Sequence, residues 1–178
     1  MRLRGGGEAE IGEVFQFLSG LYFRGKLAYA RAFARPLRDA GSGVLVITAG
    51  SGLREASTPI TAKAIQLFAN VDIDSGNAKY RKPLERSARA LLDDVGDETD
   101  VVLLGSIASG KYVDVLGDIF GERLLFPPAF VGRGDMSRGG LMLRAAASGE
   151  ELDYTPVAGA VRRGARPPKL TPLRKGPS

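Results

Sequence analysis

Gly105, Gly110 and Lys111 stand at the spacing G-x-x-x-x-G-K, with Ser106, Ile107, Ala108 and Ser109 between the two glycines. An apolar run over residues 100–105 leads into this loop and an amphipathic run over residues 112–120 leads out of it. A strand that feeds a helix through glycines leaves backbone N–H groups and the positive end of the helix dipole facing outward, which suits an anion. The backbone of residues 105–110 would hold the anion, helped by the Ser106 and Ser109 hydroxyls and neutralised by Lys111. The residue that follows is Tyr112, whereas a magnesium-dependent triphosphatase needs a Ser or Thr hydroxyl at that place. None of the apolar runs ends in Asp, and only about fifty residues separate Lys111 from the tail. Both facts argue for anion binding without nucleotide hydrolysis.

A second stretch, residues 130–140 (FVGRGDMSRGG), sets Arg133 and Arg138 around Asp135 and Ser137 in a glycine-rich segment ahead of a predicted helix. Guanidinium forks suit phosphate or carboxylate, so Arg133, Ser137 and Arg138 join the ligand set. Two structural readings stand beside this one. Ser137 would serve equally as a helix N-cap, and Asp135 would tie the loop through Arg133 or backbone N–H groups. The embedded R-G-D triplet carries no adhesion signal.

The same G-x-x-x-x-G-K spacing recurs at Gly20 to Lys26, but Leu21, Tyr22 and Phe23 lie where a phosphate cradle wants small residues. That copy reads as a plain helix entry. Asp72 and Asp74 straddle Ile73 without the Gly and distal Glu of a calcium loop, and read as a solvated or capping turn.

Histidine and cysteine are both absent. That excludes Ser-His-Asp and Cys-His catalysis, disulfides, and zinc held by imidazole or thiolate. If the chain is an enzyme, Asp135 is the best general base. Ser106 is then the nucleophile or donor, on the condition that burial deprotonates Lys111 beside it. No metal and no cofactor is called for by the residue pattern.

The elements that must position these residues follow from hydrophobic pattern. Residues 13–18 (EVFQFL) suit a strand or a helix. Residues 26–39 read helical, with Leu27, Ala30, Ala34 and Leu37 on one face and Pro36 bending or ending the helix. Residues 44–48 (VLVIT) are a continuous apolar run of the kind found in interior strands, with residues 49–53 as the exit loop. Residues 58–61 open a helix over 63–69. Pro83 sits in the first turn of another, striped by Leu84, Ala88, Leu91 and Leu92. Residues 100–105 make a second strand, 112–120 its helix, 123–126 a third strand stopped by Pro127 and Pro128, 141–147 a last helix and 157–161 an edge strand.

Alternation of strand and helix with continuous apolar strands predicts an α/β fold, a three-layer sandwich with a mainly parallel central sheet of the Rossmann-like kind. In such a fold the strand-exit loops at residues 49–54, 105–111 and 132–138 converge on one pocket at the C-terminal edge of the sheet. The 178 residues fit one α/β domain over 1–160, with a glycine-rich start and a basic, proline-rich extended tail over 161–178.

Charge is distributed unevenly between these two parts. The formal charge is +5, yet the tail alone holds Arg162, Arg163, Arg166, Lys169, Arg174 and Lys175 and no acid. The remainder has 19 basic against 20 acidic residues, net −1. Basic character is therefore a property of the tail. No apolar stretch follows the first arginines and no run of 18 apolar residues occurs, so neither a signal peptide nor a membrane span is expected and the cytoplasm is the expected compartment.

The order LYFRGKLAYARAFA, VLVITAGSGL, VVLLGSIASGKYVDVL and RLLFP with its glycine-rich loop resembles uncharacterised bacterial Rossmann-like domains related to the uracil-DNA-glycosylase-like domain of archaeosine synthase. The resemblance spans residues 20–145 and implies the Rossmann-like fold and a nucleotide-like ligand. It does not carry base excision over, because the loop Asp and late histidine of the glycosylase group have no counterpart here. The leading expectation is a protein that binds a phosphorylated or nucleotide-like ligand. The alternatives are a module that binds nucleic acid or an acidic partner through the tail, and a subunit that acts by oligomer assembly.

Overall fold

The protein is described by a computed structural model over residues 7–36 and 41–171. Among the described residues, seven short strands are interspersed with five α-helices. The long first helix, α1 (Ile11–Phe33), absorbs the ambiguous residues 13–18, and Gly20 at φ 65° breaks it into two helical stretches. It ends at Phe33, six residues short of the expected limit, as the chain becomes extended at Ala34 two residues before Pro36. Expected helical residues 37–39 lie outside the described residues.

The three-layer sandwich with a mainly parallel sheet does not form. The chain is about half helical, and its strands make three separate small sheets. Strand β1 (Ala9–Glu10) pairs antiparallel with β4 (Pro59–Ile60), and β2 (Leu45–Thr48) with β3 (Gly52–Glu55). Strand β5 (Val101–Val102) pairs parallel with β6 (Leu124–Phe126), which pairs antiparallel with β7 (Thr155–Pro156). The reason lies at residues 48–52, expected to be a strand exit. The buried Thr48 hydroxyl donates to the Gly52 carbonyl at 2.8 Å and accepts from the Ser51 N–H at 3.0 Å. That turn folds the chain back on itself, so β3 takes one edge of β2 and no crossover carries β2 into a sheet with β5.

Helix α2 (Ala62–Ala69) starts at Thr61, whose hydroxyl accepts from the Ala64 N–H at 3.3 Å. Helix α3 (Ala78–Val95) starts earlier than Pro83 suggests, capped by Asn77, whose Oδ1 accepts from the Lys79 N–H at 3.1 Å. Asp74 caps the turn ahead of it, accepting from the Gly76 N–H at 2.8 Å. Helix α4 is Gly110–Phe120, and α5 (Asp135–Ser148) starts six residues before the expected residue 141. The edge strand expected at residues 157–161 lies two residues earlier, as β7, placed by the Val157 N–H donating to Leu124 O at 2.8 Å.

Three apolar clusters hold these pieces. Tyr80, Leu84, Leu116, Leu124 and Phe126 centre one between α3, α4 and β6. Ile11, Val14, Leu27, Val46 and Ile60 centre a second between α1 and β2. Tyr29, Phe130 and Met142 join α1 to α5 in a third. In that third region a side chain on Gly25 would strike the Gly139 backbone, and one on Gly139 would strike the backbone of Leu21 and Tyr22. The two helix backbones therefore touch at glycine, which fixes the placement of α1 beside α5.

Candidate functional site

A cleft of about 930 Å³ runs between α1 on one side and the β5-to-α4 segment on the other. Its size falls within the range of ligand pockets, roughly 300–1,000 Å³. Strand β2 contributes Leu45, Val46 and Ile47 to its wall, and the β5 segment contributes Val101 to Leu104. Successive residues of a strand point to opposite faces, so a run of neighbours lining one cavity means that the strand presents its edge there. β2 and β5 each have a strand neighbour on one side only, which agrees with that placement.

Charge gathers where the cleft meets Gly105 and Ser106. After the Gly20 kink, Tyr22, Lys26, Tyr29 and Phe33 recur at helical spacing along α1 and all line the cleft. The Lys26 ammonium lies over the Tyr22 ring at 4.1 Å from its centre. Lys111 enters from the first turn of α4, its ammonium 5.2 Å from the centre of the Tyr112 ring. Neither lysine forms an ion pair among the described residues. Burial holds the Lys26 ammonium down to about 8, with Arg138 and Lys111 pushing the same way and Asp135 opposing them.

Tyr22 completes this end. Its hydroxyl is buried without a hydrogen-bond partner among the described residues. Burial raises its pKa, although the nearby Arg138 guanidinium offsets part of that. Farther along the same wall, Tyr29 joins Tyr154 and Glu151 in a hydrogen-bonded chain. The Tyr29 and Tyr154 hydroxyls are 2.6 Å apart, the Tyr154 hydroxyl donates to Glu151 at 2.8 Å, and Arg35 pairs with Glu151 at 2.7 Å.

The residues expected to bind are divided by the fold. Gly105, Ser106, Lys111 and Asp135 line the cleft, whereas Ser109, Gly110, Arg133, Ser137 and Arg138 do not. The Ser106 hydroxyl accepts from the Ala108 N–H at 3.3 Å, so it is turned into its own loop and occupies one of the N–H groups expected to face an anion. Ser109 is the exposed N-cap of α4 without a side-chain bond. A side chain on Gly110 would collide with the Asp114 carboxylate, so the helix start already has an acid beside it. The backbone of residues 105–110 is thus partly occupied by its own side chains, and the cations without an ion pair that reach the cleft are Lys26 and Lys111.

Arg133 turns away from the cleft. It donates to the carbonyls of Ala129 at 2.9 Å and Pro168 at 3.3 Å, and to the Ser137 hydroxyl at 3.2 Å. Ser137 is therefore held by Arg133 in the first turn of α5, and the N-cap is Gly134. Arg138 is buried, donating to Phe130 O and pairing with Asp135 at 3.2 Å. That pair leaves the Asp135 carboxylate at the cleft with its charge engaged by Arg138. Of the three loops expected to converge, residues 49–54 form the hairpin turn and the start of β3 and bring only Leu53 to the cleft, while α1 lines much of its wall.

Lys26 and Tyr22 are the residues missed from sequence. The aromatic residues that spoke against the first G-x-x-x-x-G-K copy as a phosphate loop are themselves cleft lining. Their signal is the 22, 26, 29, 33 periodicity of an aromatic stripe interrupted by one lysine.

Comparison with protein-family models, with curated proteins and with solved structures returned no match for this chain. Among the described residues, no helix is long and apolar enough to cross a membrane.

Proposed function

We propose that this protein binds a phosphorylated or nucleotide-like ligand in the cleft between α1 and the residues 105–111 loop. The observation that supports it is the meeting of two lysine ammonium groups, neither in an ion pair among the described residues, on facing walls of a cleft where the nearest acid, Asp135, is already paired with Arg138. The Lys111 charge disfavours the ammonium form of Lys26, and a bound dianion offsets that repulsion while the apolar stretches of the wall, such as Leu45 to Ile47 and Val101 to Leu104, face the ligand body. A thermal-shift series with inorganic phosphate, a nucleoside monophosphate and a sugar phosphate tests the reading. Ligand at a hundredfold its dissociation constant adds about 2.7 kcal/mol, enough to raise Tm by roughly 5–10 °C. Lys111→Ala is expected to lose most of that shift. If no anion stabilises the wild-type chain, the reading fails.

A second reading rests on the tail. Arg163, Arg166 and Lys169 are in an extended segment and make no ion pair among the described residues, while Arg162 reaches Asp114 at 3.8 Å. Six cations without an acid over residues 161–178 suit the phosphate backbone of a nucleic acid, or an acidic partner. Residues 172–178, with Arg174 and Lys175, lie outside the described residues.

A further inference from the structure

Lys26 has more than a charge to offer. Its stem leaves α1 one residue after the Gly25 contact with α5, so the backbone that carries it is fixed. Its nitrogen rests on the face of Tyr22 rather than on a carboxylate. A lysine that serves only to hold charge is ordinarily paired or solvated, whereas a nucleophilic lysine needs an unpaired nitrogen in an enclosed site near another cation. Lys111 supplies the second cation from the opposite wall.

We propose that Lys26 is a covalent amine for a phosphorylated aldehyde or ketone, its Nζ forming an imine with the carbonyl carbon while Lys111 holds the phosphate. The inference rests on the anion reading above and names its substrate class. The neutral amine adds to the carbonyl carbon, making the C–N bond, and one N–H proton passes to the oxygen to give a carbinolamine. The C–O bond then breaks, and the oxygen leaves as water with the second amine proton. The step needs no oxidant or reductant. With Lys26 held near 8, roughly half of the amine is neutral at pH 8. Burial sets this balance first, and the charged groups facing Lys26 are Asp135 and Arg138 on α5 and Lys111 on α4, with the Tyr22 ring beneath it on the same helix.

Pyridoxal 5′-phosphate is a suitable probe, because it joins an aldehyde to a phosphate. The full chain is incubated with it at pH 8, the imine is reduced with borohydride, and the modified lysine is located by mass spectrometry. The expected result is one adduct per chain, at Lys26, suppressed by excess inorganic phosphate and formed about tenfold more slowly by pyridoxal, which lacks the phosphate. Lys111→Ala is expected to slow labelling by a similar factor, and phosphate protection of the wild type gives a readout that needs no variant to fold. Labelling spread evenly over exposed Lys63, Lys79 and Lys82, or absent from Lys26, overturns the proposal. If phosphate stabilises the chain but Lys26 stays unmodified, the anion reading stands and the imine falls. If pyridoxal and its phosphate label Lys26 equally and phosphate does not stabilise, the imine stands and the anion reading falls.

Discussion

Lys26 makes the folded chain pay for its position, and pH exposes the cost. Its ammonium titrates near 8 in the fold against an ordinary 10.5. Between those values the unfolded chain holds a proton that the folded chain has released, so the Lys26 contribution to stability rises with pH across that window. Below pH 8 both states are protonated and the penalty is fully present. Lys26→Met removes the charge and keeps the apolar stem, so it is expected to unfold at higher urea than wild type at pH 7. The gap is on the order of 1–3 kcal/mol, and it closes as pH approaches 10.5. Urea midpoints for both chains at pH 7, 9 and 10.5 check this; a gap that does not change with pH contradicts it.

At the scale of elements, the crossing of α1 and α5 decides where Lys26 stands. Gly25→Ala would ordinarily help a helix by about 1 kcal/mol, but here the new methyl meets the Gly139 backbone. The expected outcome is a net loss of about 1–3 kcal/mol in urea unfolding, together with weaker phosphate stabilisation as α1 shifts. A gain in stability would show that the helices do not touch there.

This crossing also explains how far the sequence could be read. The apolar runs at residues 44–48 and 101–105 announced strands, and the strand, loop and helix order at residues 101–120 is present. Partnership between strands was not legible, because apolar alternation does not say which edge a strand offers. The Thr48 hydroxyl closing onto Gly52 settles that by a local hydrogen bond, and the hairpin replaces the parallel sheet. The site was half legible for a similar reason. Lys111 and Asp135 sit beside obvious glycines, whereas Lys26 belongs to a helix that reads as packing until its opposite wall is known.

For the whole molecule, the separation of a near-neutral body from a basic tail makes two activities distinguishable. Removing residues 161–178 takes away six cations. Under the tail reading it is expected to abolish duplex DNA binding, and with it the steep fall of affinity between 50 and 200 mM salt. A filter-binding titration of both chains over that range measures it, and unchanged DNA affinity in the truncated chain overturns the tail reading. The phosphate-induced Tm shift tests the cleft separately.

The position of the cleft has one more consequence. It lies between the cluster around Leu84 and Phe126 and the cluster around Leu27 and Val46, and the two are bridged where β3 meets α3 through the Leu53 N–H donating to the Ser87 hydroxyl at 2.8 Å. In calorimetry, two apolar clusters on either side of a cleft, joined by Ile47, Leu53 and the β3–α3 contact, predict a ratio of van't Hoff to calorimetric enthalpy below one for the free chain. A ligand that touches both walls couples them, and the ratio is expected to climb toward one as phosphate is added. Occupancy of the groove would then be written into the sharpness of melting as well as its temperature.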